Sequence, residues 1–138
     1  MNAILISIQK PFTDYIHEGK KTSELRTRPP KIKTPFRVYT YETKAYGGAG
    51  KVVNTWVCNN MYEWLLYMGM PAHLPIVACV STEYIQKYSN NGNKNITEMK
   101  ISSLKVFENP LELSEFSYKN KPIIRAPQNW CYVDNKED

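Results

Sequence analysis

The sequence has few of the residues that build metal sites and disulfide frameworks. It contains 3 cysteines and 2 histidines among 138 residues, and none of them form the close pairs that hold a structural zinc ion. An odd number of widely spaced cysteines is typical of reduced thiols inside a cell. We therefore expect no disulfide framework, no metal site and no cofactor.

Long apolar runs are also missing. The most apolar window, residues 64–80, is interrupted by Pro71, His73 and Pro75, and it falls short of the roughly 20 apolar residues of a membrane-spanning helix. The first seven residues lack a basic stretch and have an apolar run of only four residues, unlike a secretory signal. These absences predict a cytoplasmic protein without a membrane partner.

Positive charge, by contrast, is concentrated in one part of the chain. The formal net charge is +5, but residues 20–51 alone carry +7 and the rest carries −2. The basic residues of this segment are Lys20, Lys21, Arg26, Arg28, Lys31, Lys33, Arg37, Lys44 and Lys51. Such a segment indicates an anionic partner, most commonly nucleic acid, with a membrane surface or a phosphorylated small molecule as the alternatives. A solvated basic face without a function would give the same pattern.

Short strand patterns dominate the chain. Strands are predicted at 3–8, 20–27, 36–43, 51–59, 98–107 and 130–133. Helices are predicted from Pro11 to Gly19, over 61–70, and from Ser81 or Thr82 to Tyr88. Because helices do not alternate regularly with the strands, a doubly wound parallel sheet is disfavoured. The pattern predicts an α+β fold, a small mixed β-barrel with a short N-terminal helix and one or two further helices.

No repeat and no linker divides the chain. We therefore expect a single domain over residues 1–133 and a mobile acidic tail at 134–138. Residues 45–50 are glycine-rich and predict a flexible hairpin turn. They lack the Gly-Lys-Ser/Thr ending of a phosphate-binding loop, so a phosphate site there is disfavoured.

The segment from Gly19 to Arg26 concentrates groups that could bind a ligand. Strand alternation places Glu24 and Arg26 on one face and Lys21 on the other. All three can meet only if the turn after Gly19 brings Lys21 to the mouth of the same cleft. Arg26 could then hold a phosphate, while Glu24 orients Arg26 or accepts hydrogen bonds from a base. Otherwise the three form a surface ion-pair cluster of little consequence.

The spacing Gly19-x-Lys21-x-x-Glu24-x-Arg26 resembles the Gly-x-Lys-x-x-Glu-x-Arg signature of the ASCH domains in the PUA-like superfamily. The strand at 38–41 and the segments 109–116 and 126–133 are also similar to bacterial and phage members, so the resemblance covers nearly the whole chain. It implies a PUA-type β-barrel with a cleft lined by the signature residues. The superfamily is largely concerned with RNA, nucleotides or modified bases.

This resemblance implies RNA, a nucleotide or a modified nucleoside as the partner. RNA is commonly recognised by stacking an extruded base on an aromatic ring while basic residues hold the backbone. The cleft candidates are Lys21, Glu24 and Arg26, the backbone candidates are Arg28, Lys31 and Lys33, and the stacking candidates are Tyr41, Trp56 and Trp130. Each aromatic residue, taken alone, also fits packing in the core.

The resemblance also implies an enzymatic alternative. Some small bacterial ASCH proteins are amidohydrolases that act on acetylated cytidine nucleosides through a lysine, a threonine three residues later and a distant glutamate. Lys21 matches that lysine, whereas Glu24 stands in the place of the threonine. The candidates for the distant glutamate are Glu42, Glu63 and Glu83. If the protein is an enzyme, Lys21 and Glu24 are the predicted catalytic residues.

Overall fold

The structure is a computed structural model that describes residues 1–44 and 49–137. Its elements are β1 (Ala3–Gln9), α1 (Phe12–His17), β2 (Ser23–Arg26), β3 (Phe36–Thr43), β4 (Lys51–Trp64), α2 (Leu74–Ala78), α3 (Thr82–Tyr88), β5 (Ile96–Leu111), β6 (Ser117–Tyr118), β7 (Lys121–Pro122) and β8 (Trp130–Val133). Short 3-10 helices lie at Leu66–Met68 and Leu113–Glu115. The predicted turn at 45–50 lies for the most part outside the described residues.

Six strands of the described chain form one mixed sheet in the order β2-β5-β4-β3-β1-β8. β1 runs parallel to β3, and the other neighbouring strands are antiparallel. The register of β4 against β5 shifts three times, and such bulges bend and twist a strand pair. The sheet curls into a half-barrel, so that Arg26 on edge strand β2 lies 2.7 Å from Asn129 beside the opposite edge strand β8.

The core lies on both faces of this sheet. Ile4, Ile6 and Ile8 of β1 point into a cluster with Trp56, while Leu5 packs in a second cluster on the other face. Alternation along a strand separates these two sets, and the continuous apolar run of β1 reflects burial on both sides. A third cluster packs α2 and α3 against β2 and β5. This third cluster positions the two helices beside β2, the strand that carries Glu24 and Arg26.

The α+β class and the barrel-like sheet follow the prediction, and the strands at 36–43 and 130–133 have the predicted bounds. The helix predicted over 61–70 is wrong. Residues 61–64 continue β4 because they pair with β5, from Met61 opposite Met99 to Trp64 opposite Ile96. Tertiary pairing of these β-favouring residues overrides the local pattern. One short 3-10 helix follows, at Leu66–Met68.

The described part of the acidic tail, residues 134–137, is attached to the domain. The Asp134 amide donates to the Ser117 carbonyl at 2.8 Å, and the Lys136 amide donates to the Tyr39 hydroxyl at 2.7 Å. These contacts hold the tail against β3 and β6. No helix within the described residues is long and apolar enough to cross a membrane.

Candidate functional site

The turn between α1 and β2 brings Lys21 to the same side as Glu24. Gly19 adopts a positive φ of 77°, a conformation that glycine reaches without steric cost. The amides of Lys20 and Lys21 then both donate to the Tyr15 carbonyl, at 2.9 and 3.0 Å. The chain reverses here, so Lys21 Nζ lies 3.1 Å from Glu24 Oε1. The geometric condition for a common site is therefore met.

Glu24 joins two cations in a buried cluster. Lys21 is 3% exposed and Glu24 is 6% exposed. Arg26 Nη2 donates to Glu24 Oε2 at 2.8 Å, and Lys21 Nζ also donates to the Ala78 carbonyl at 2.9 Å. The signature residues are thus a desolvated charge triad with a net charge of +1, rather than an exposed ion-pair cluster.

Arg26 is fixed from three directions. Besides Glu24, its guanidinium donates to Asn129 Oδ1 at 2.7 Å and to the Ser7 carbonyl at 3.0 Å. Across the described residues these bonds use three of the five N–H groups of a guanidinium. The group is therefore held in one orientation while it keeps donors for a ligand.

Lys21 and Arg26 keep the Glu24 carboxyl ionised. Burial raises the pKa of this carboxyl, but the neighbouring Lys21 ammonium and Arg26 guanidinium outweigh burial and lower the pKa from 4.5 to about 2. A carboxyl whose pKa is lower in the folded state stabilises the fold above pH 4.5, and this contribution is lost as the pH falls towards 2. The shift corresponds to roughly 3 kcal/mol.

We therefore expect a Glu24→Gln variant to be less stable than the wild type at neutral pH, with the difference narrowing below pH 4.5. Glutamine does not titrate, whereas wild-type Glu24 loses its charge as the pH approaches 2. Urea unfolding of both proteins at pH 7 and pH 3 measures this effect. A difference in unfolding free energy that stays constant across this range would contradict the charge triad as a source of stability.

A cleft of about 340 Å³ opens beside the triad, within the size range of small-molecule sites. Among the described residues, three aromatic side chains line it together with Lys21, Glu24 and Arg26: Phe12, Tyr84 and Tyr88. The rings of Tyr84 and Tyr88 stack at 6.0 Å, and Lys21 Nζ lies 5.6 Å from the Phe12 ring centroid. Burial and the nearby Glu24 carboxylate raise the pKa of Tyr84, so its hydroxyl remains a neutral donor.

The predicted stacking residues do not lie in this cleft. Tyr41 is buried in the second core cluster, and its hydroxyl accepts from the Gly50 amide. Trp56 is 0% exposed and donates to Thr40 Oγ1 at 3.1 Å, so neither face of its ring is open to a ligand. Trp130 is half-buried beside the cleft, and its Nε1 donates to the Arg28 carbonyl.

The predicted backbone-binding residues Arg28, Lys31 and Lys33 are exposed and lie outside the cleft lining. The aromatic residues that do line the cleft were not predicted as ligand contacts. Tyr84 and Tyr88 lie four residues apart on α3 and therefore share one helix face. That spacing was available in the sequence, but it equally describes a helix face packed on a core.

None of the candidates for a distant glutamate lines the cleft. Glu42 accepts a hydrogen bond from Thr13 Oγ1, Glu63 lies on β4, and Glu83 lies in the first turn of α3.

A different glutamate, Glu98, is buried behind the cleft wall. It accepts hydrogen bonds from Ser23, Trp64 and His73 at 2.7 to 3.0 Å. Burial raises its pKa, but these hydrogen bonds outweigh burial and lower it. Since His73 immediately precedes α2, and Ala78 at the end of α2 accepts from Lys21, Glu98 helps to hold α2 in place.

The curled sheet and the cleft at its edge define an α+β half-barrel domain. The chain is similar to the crystal structure of ASCH from Zymomonas mobilis, with 20% identity, a TM-score of 0.76 and coverage of 96% of this chain and 87% of that one. Two variants of the same protein give TM-scores of 0.77. One is 19% identical, with 97% of this chain and 91% of that chain covered; the other is 18% identical, with 96% and 88% covered. No family model and no curated protein matches the sequence. The chain has the fold of the ASCH proteins, as the resemblance in its sequence implied.

Proposed function

We propose that this protein is an RNA- or nucleotide-binding ASCH domain protein whose ligand occupies the cleft at Lys21, Glu24 and Arg26. The observation that carries the proposal is the buried charge triad inside an aromatic-lined cleft. Buried charges are costly unless they are paired, and this cluster leaves a net positive charge facing a cavity with room for a small ligand. Aromatic rings and fixed cations are the groups that proteins use to hold bases and phosphates.

Tyr84, Arg26 and Glu24 have separate roles in this proposal. The partly exposed ring of Tyr84, 48% accessible, stacks on a base. The free N–H groups of Arg26 donate to a phosphate or to a carbonyl of the base. Glu24 is a positioning residue, because its two carboxylate oxygens hold Lys21 and Arg26. Asn129 and Ser7 fix the plane of the guanidinium.

An Arg26→Gln variant is expected to bind RNA roughly 10- to 150-fold more weakly, since a charge-assisted hydrogen bond contributes about 1.5–3 kcal/mol. Fluorescence anisotropy with a labelled single-stranded RNA, at about 50 and 200 mM salt, measures the affinity. Arg125→Gln is the matched control, because Arg125 is exposed and lies outside the cleft. Wild-type protein that does not bind at the lower salt concentration, or equal losses in both variants, would contradict the proposal.

Tyr84→Ala tests the stacking role without disturbing the triad. Loss of one stacked base is expected to weaken binding by about 1–3 kcal/mol, or roughly 5- to 150-fold. Tyr67→Ala is the control, because Tyr67 is 73% exposed and does not line the cleft. Thermal unfolding of both variants establishes that they are folded. Equal affinities for Tyr84→Ala and the wild type would remove stacking on Tyr84 from the proposal.

A second candidate function is hydrolysis of the amide of an N4-acylated, acetylcytidine-like nucleoside, with Lys21 as the catalytic residue. One observation favours it: a threonine, Thr43, lines the same cleft as Lys21 and Glu24, and the acetylcytidine amidohydrolases use a lysine together with a threonine. Against it, Lys21 Nζ donates to a carboxylate and a carbonyl, which are partners of an ammonium, whereas a nucleophile needs a neutral amine. Chromatography of N4-acetylcytidine incubated with the wild type and with Lys21→Ala distinguishes the two. Turnover by the wild type that is lost in a variant shown by thermal unfolding to be folded would establish the hydrolase.

A further inference from the structure

A line of aromatic rings leads away from the cleft along edge strand β8. Asn129, which accepts from Arg26 inside the cleft, donates through Nδ2 to the Arg28 carbonyl at 3.3 Å. Trp130 Nε1 donates to the same carbonyl at 2.8 Å. The segment after β2 and the start of β8 are thereby joined at the rim of the cleft.

The line of rings continues from Trp130 to the β6 strand. Trp130 and Tyr132 meet edge to face, with ring centroids 5.0 Å apart, and Tyr132 lies 5.9 Å from Tyr118. Lys119 Nζ then lies 5.3 Å from the Tyr118 ring centroid. All three rings remain partly exposed. We call the surface formed by Arg28, Trp130, Tyr132, Tyr118 and Lys119 the aromatic track.

A groove of about 290 Å³ lies along the far half of the track, lined by Tyr118, Tyr132, Ile32 and Asp134 among others. Lys31 and Lys33 flank Ile32 in the chain and are exposed. The exposed charges of this surface are therefore Arg28, Lys31, Lys33 and Lys119 against Asp134, which sum to +3. These cations lie beside the groove, on the track or next to Ile32 in the chain, while Asp134 is part of the groove lining. The surface therefore combines aromatic walls with neighbouring cations.

We propose that the aromatic track binds the continuation of a single-stranded RNA of which one nucleotide occupies the cleft. This inference rests on the proposed function and extends it, because it makes an RNA strand, rather than a free nucleotide, the partner. Stacking on aromatic rings accepts any base, and neighbouring cations follow the backbone. A duplex keeps its bases stacked inside and offers none to these rings. An acidic peptide would use the cations but not the rings.

The experiment compares a mononucleotide with a twelve-nucleotide single-stranded RNA on the intact protein. The wild type is expected to bind the twelve-nucleotide RNA more tightly than the mononucleotide. The ratio of the two affinities should fall in a triple variant that carries Lys31→Ala, Lys33→Ala and Lys119→Ala. The triple variant is also expected to lower the salt slope for the RNA by about 2. A Lys87→Ala, Lys94→Ala, Lys100→Ala triple variant is the matched control, because these lysines are exposed but lie outside the track. Tyr118→Leu removes the ring while it keeps apolar bulk against Tyr132, and it should also reduce the ratio.

The outcomes separate the two proposals. Equal affinity for the mononucleotide and the RNA overturns the track while the cleft function stands. If the two lysine triple variants lose RNA affinity equally, the track is overturned in favour of a general anion surface. The same holds if polyglutamate displaces the bound RNA as effectively as unlabelled RNA does. If the wild type binds neither the mononucleotide nor the RNA, both the proposed function and the track are overturned.

Discussion

Replacing Glu24 by alanine is expected to lower the free energy of unfolding by about 3–5 kcal/mol, because it leaves buried charges without their partner. Lys21 Nζ and Arg26 Nη2 would each lose a carboxylate at 3.1 and 2.8 Å. Lys21 and Glu24 are almost fully buried, so solvent screens the two uncompensated cations less than it would at the surface. Urea unfolding measures the change. Glu83→Ala is the matched control, because Glu83 is exposed on α3, and its effect should be within about 0.5 kcal/mol.

A double-mutant cycle distinguishes charge pairing from general damage to the cleft. Glu24→Gln removes the carboxylate charge beside Lys21, and Lys21→Met removes the ammonium while it keeps most of the side-chain volume. The double variant should be less destabilised than the sum of the single variants by roughly 0.5–3 kcal/mol. Strict additivity would show that the two residues stabilise the fold independently, which is at odds with a triad.

Trp56→Ala is expected to lower the free energy of unfolding by about 3–5 kcal/mol, the range for removing a large aromatic residue from a core. Trp56 is among the largest fully buried side chains, and it packs with Ile4, Ile6 and Val38 in the first core cluster. Tyr67→Ala, at an exposed position, is the control. A Trp56→Ala protein that unfolds at the wild-type urea concentration but binds RNA less well would contradict this assignment and restore Trp56 as a ligand contact.

Trp56→Phe separates the indole hydrogen bond from the packing. Phenylalanine keeps an aromatic ring but cannot donate to Thr40 Oγ1, which is itself buried. The unpartnered hydroxyl should cost about 1–3 kcal/mol, less than the alanine substitution. A loss as large as that of Trp56→Ala would show that the hydrogen bond, rather than the packing, dominates at this position.

Where local pattern and tertiary pairing agree, the sequence predicts the fold well. The β-branched and aromatic run at 36–43 forms β3 with the predicted bounds, and the Ser81 side chain caps α3 by accepting from the Tyr84 amide. Between them, residues 61–64 were predicted to be helical, but they extend β4 because β5 pairs with them. The short helix α2 was not predicted, because its five residues are too few to show a helical period.

For a similar reason, the sequence predicts only some of the residues that line the cleft. Lys21, Glu24 and Arg26 lie close enough in sequence for their spacing to mark a site, and the glycine that turns the chain lies beside them. Phe12 and Tyr84, which line the same cleft, are separated by more than 70 residues. Nothing local to Tyr41, Trp56 or Tyr84 indicates which of these rings faces a ligand and which faces the core.

The sequence by itself determined the α+β class, the basic character of residues 20–51 and the close spacing of Lys21, Glu24 and Arg26, because these depend on residue type, on period and on short separation along the chain. Only the tertiary structure decided that Lys21 and Glu24 are buried, that Tyr84 and Tyr88 rather than Trp56 line the cleft, and that Asn129 holds Arg26 across the two sheet edges. The physical reason is that burial and long-range contact depend on how the sheet curls. Register shifts between β4 and β5 accompany that curl, and no local pattern of residues encodes them.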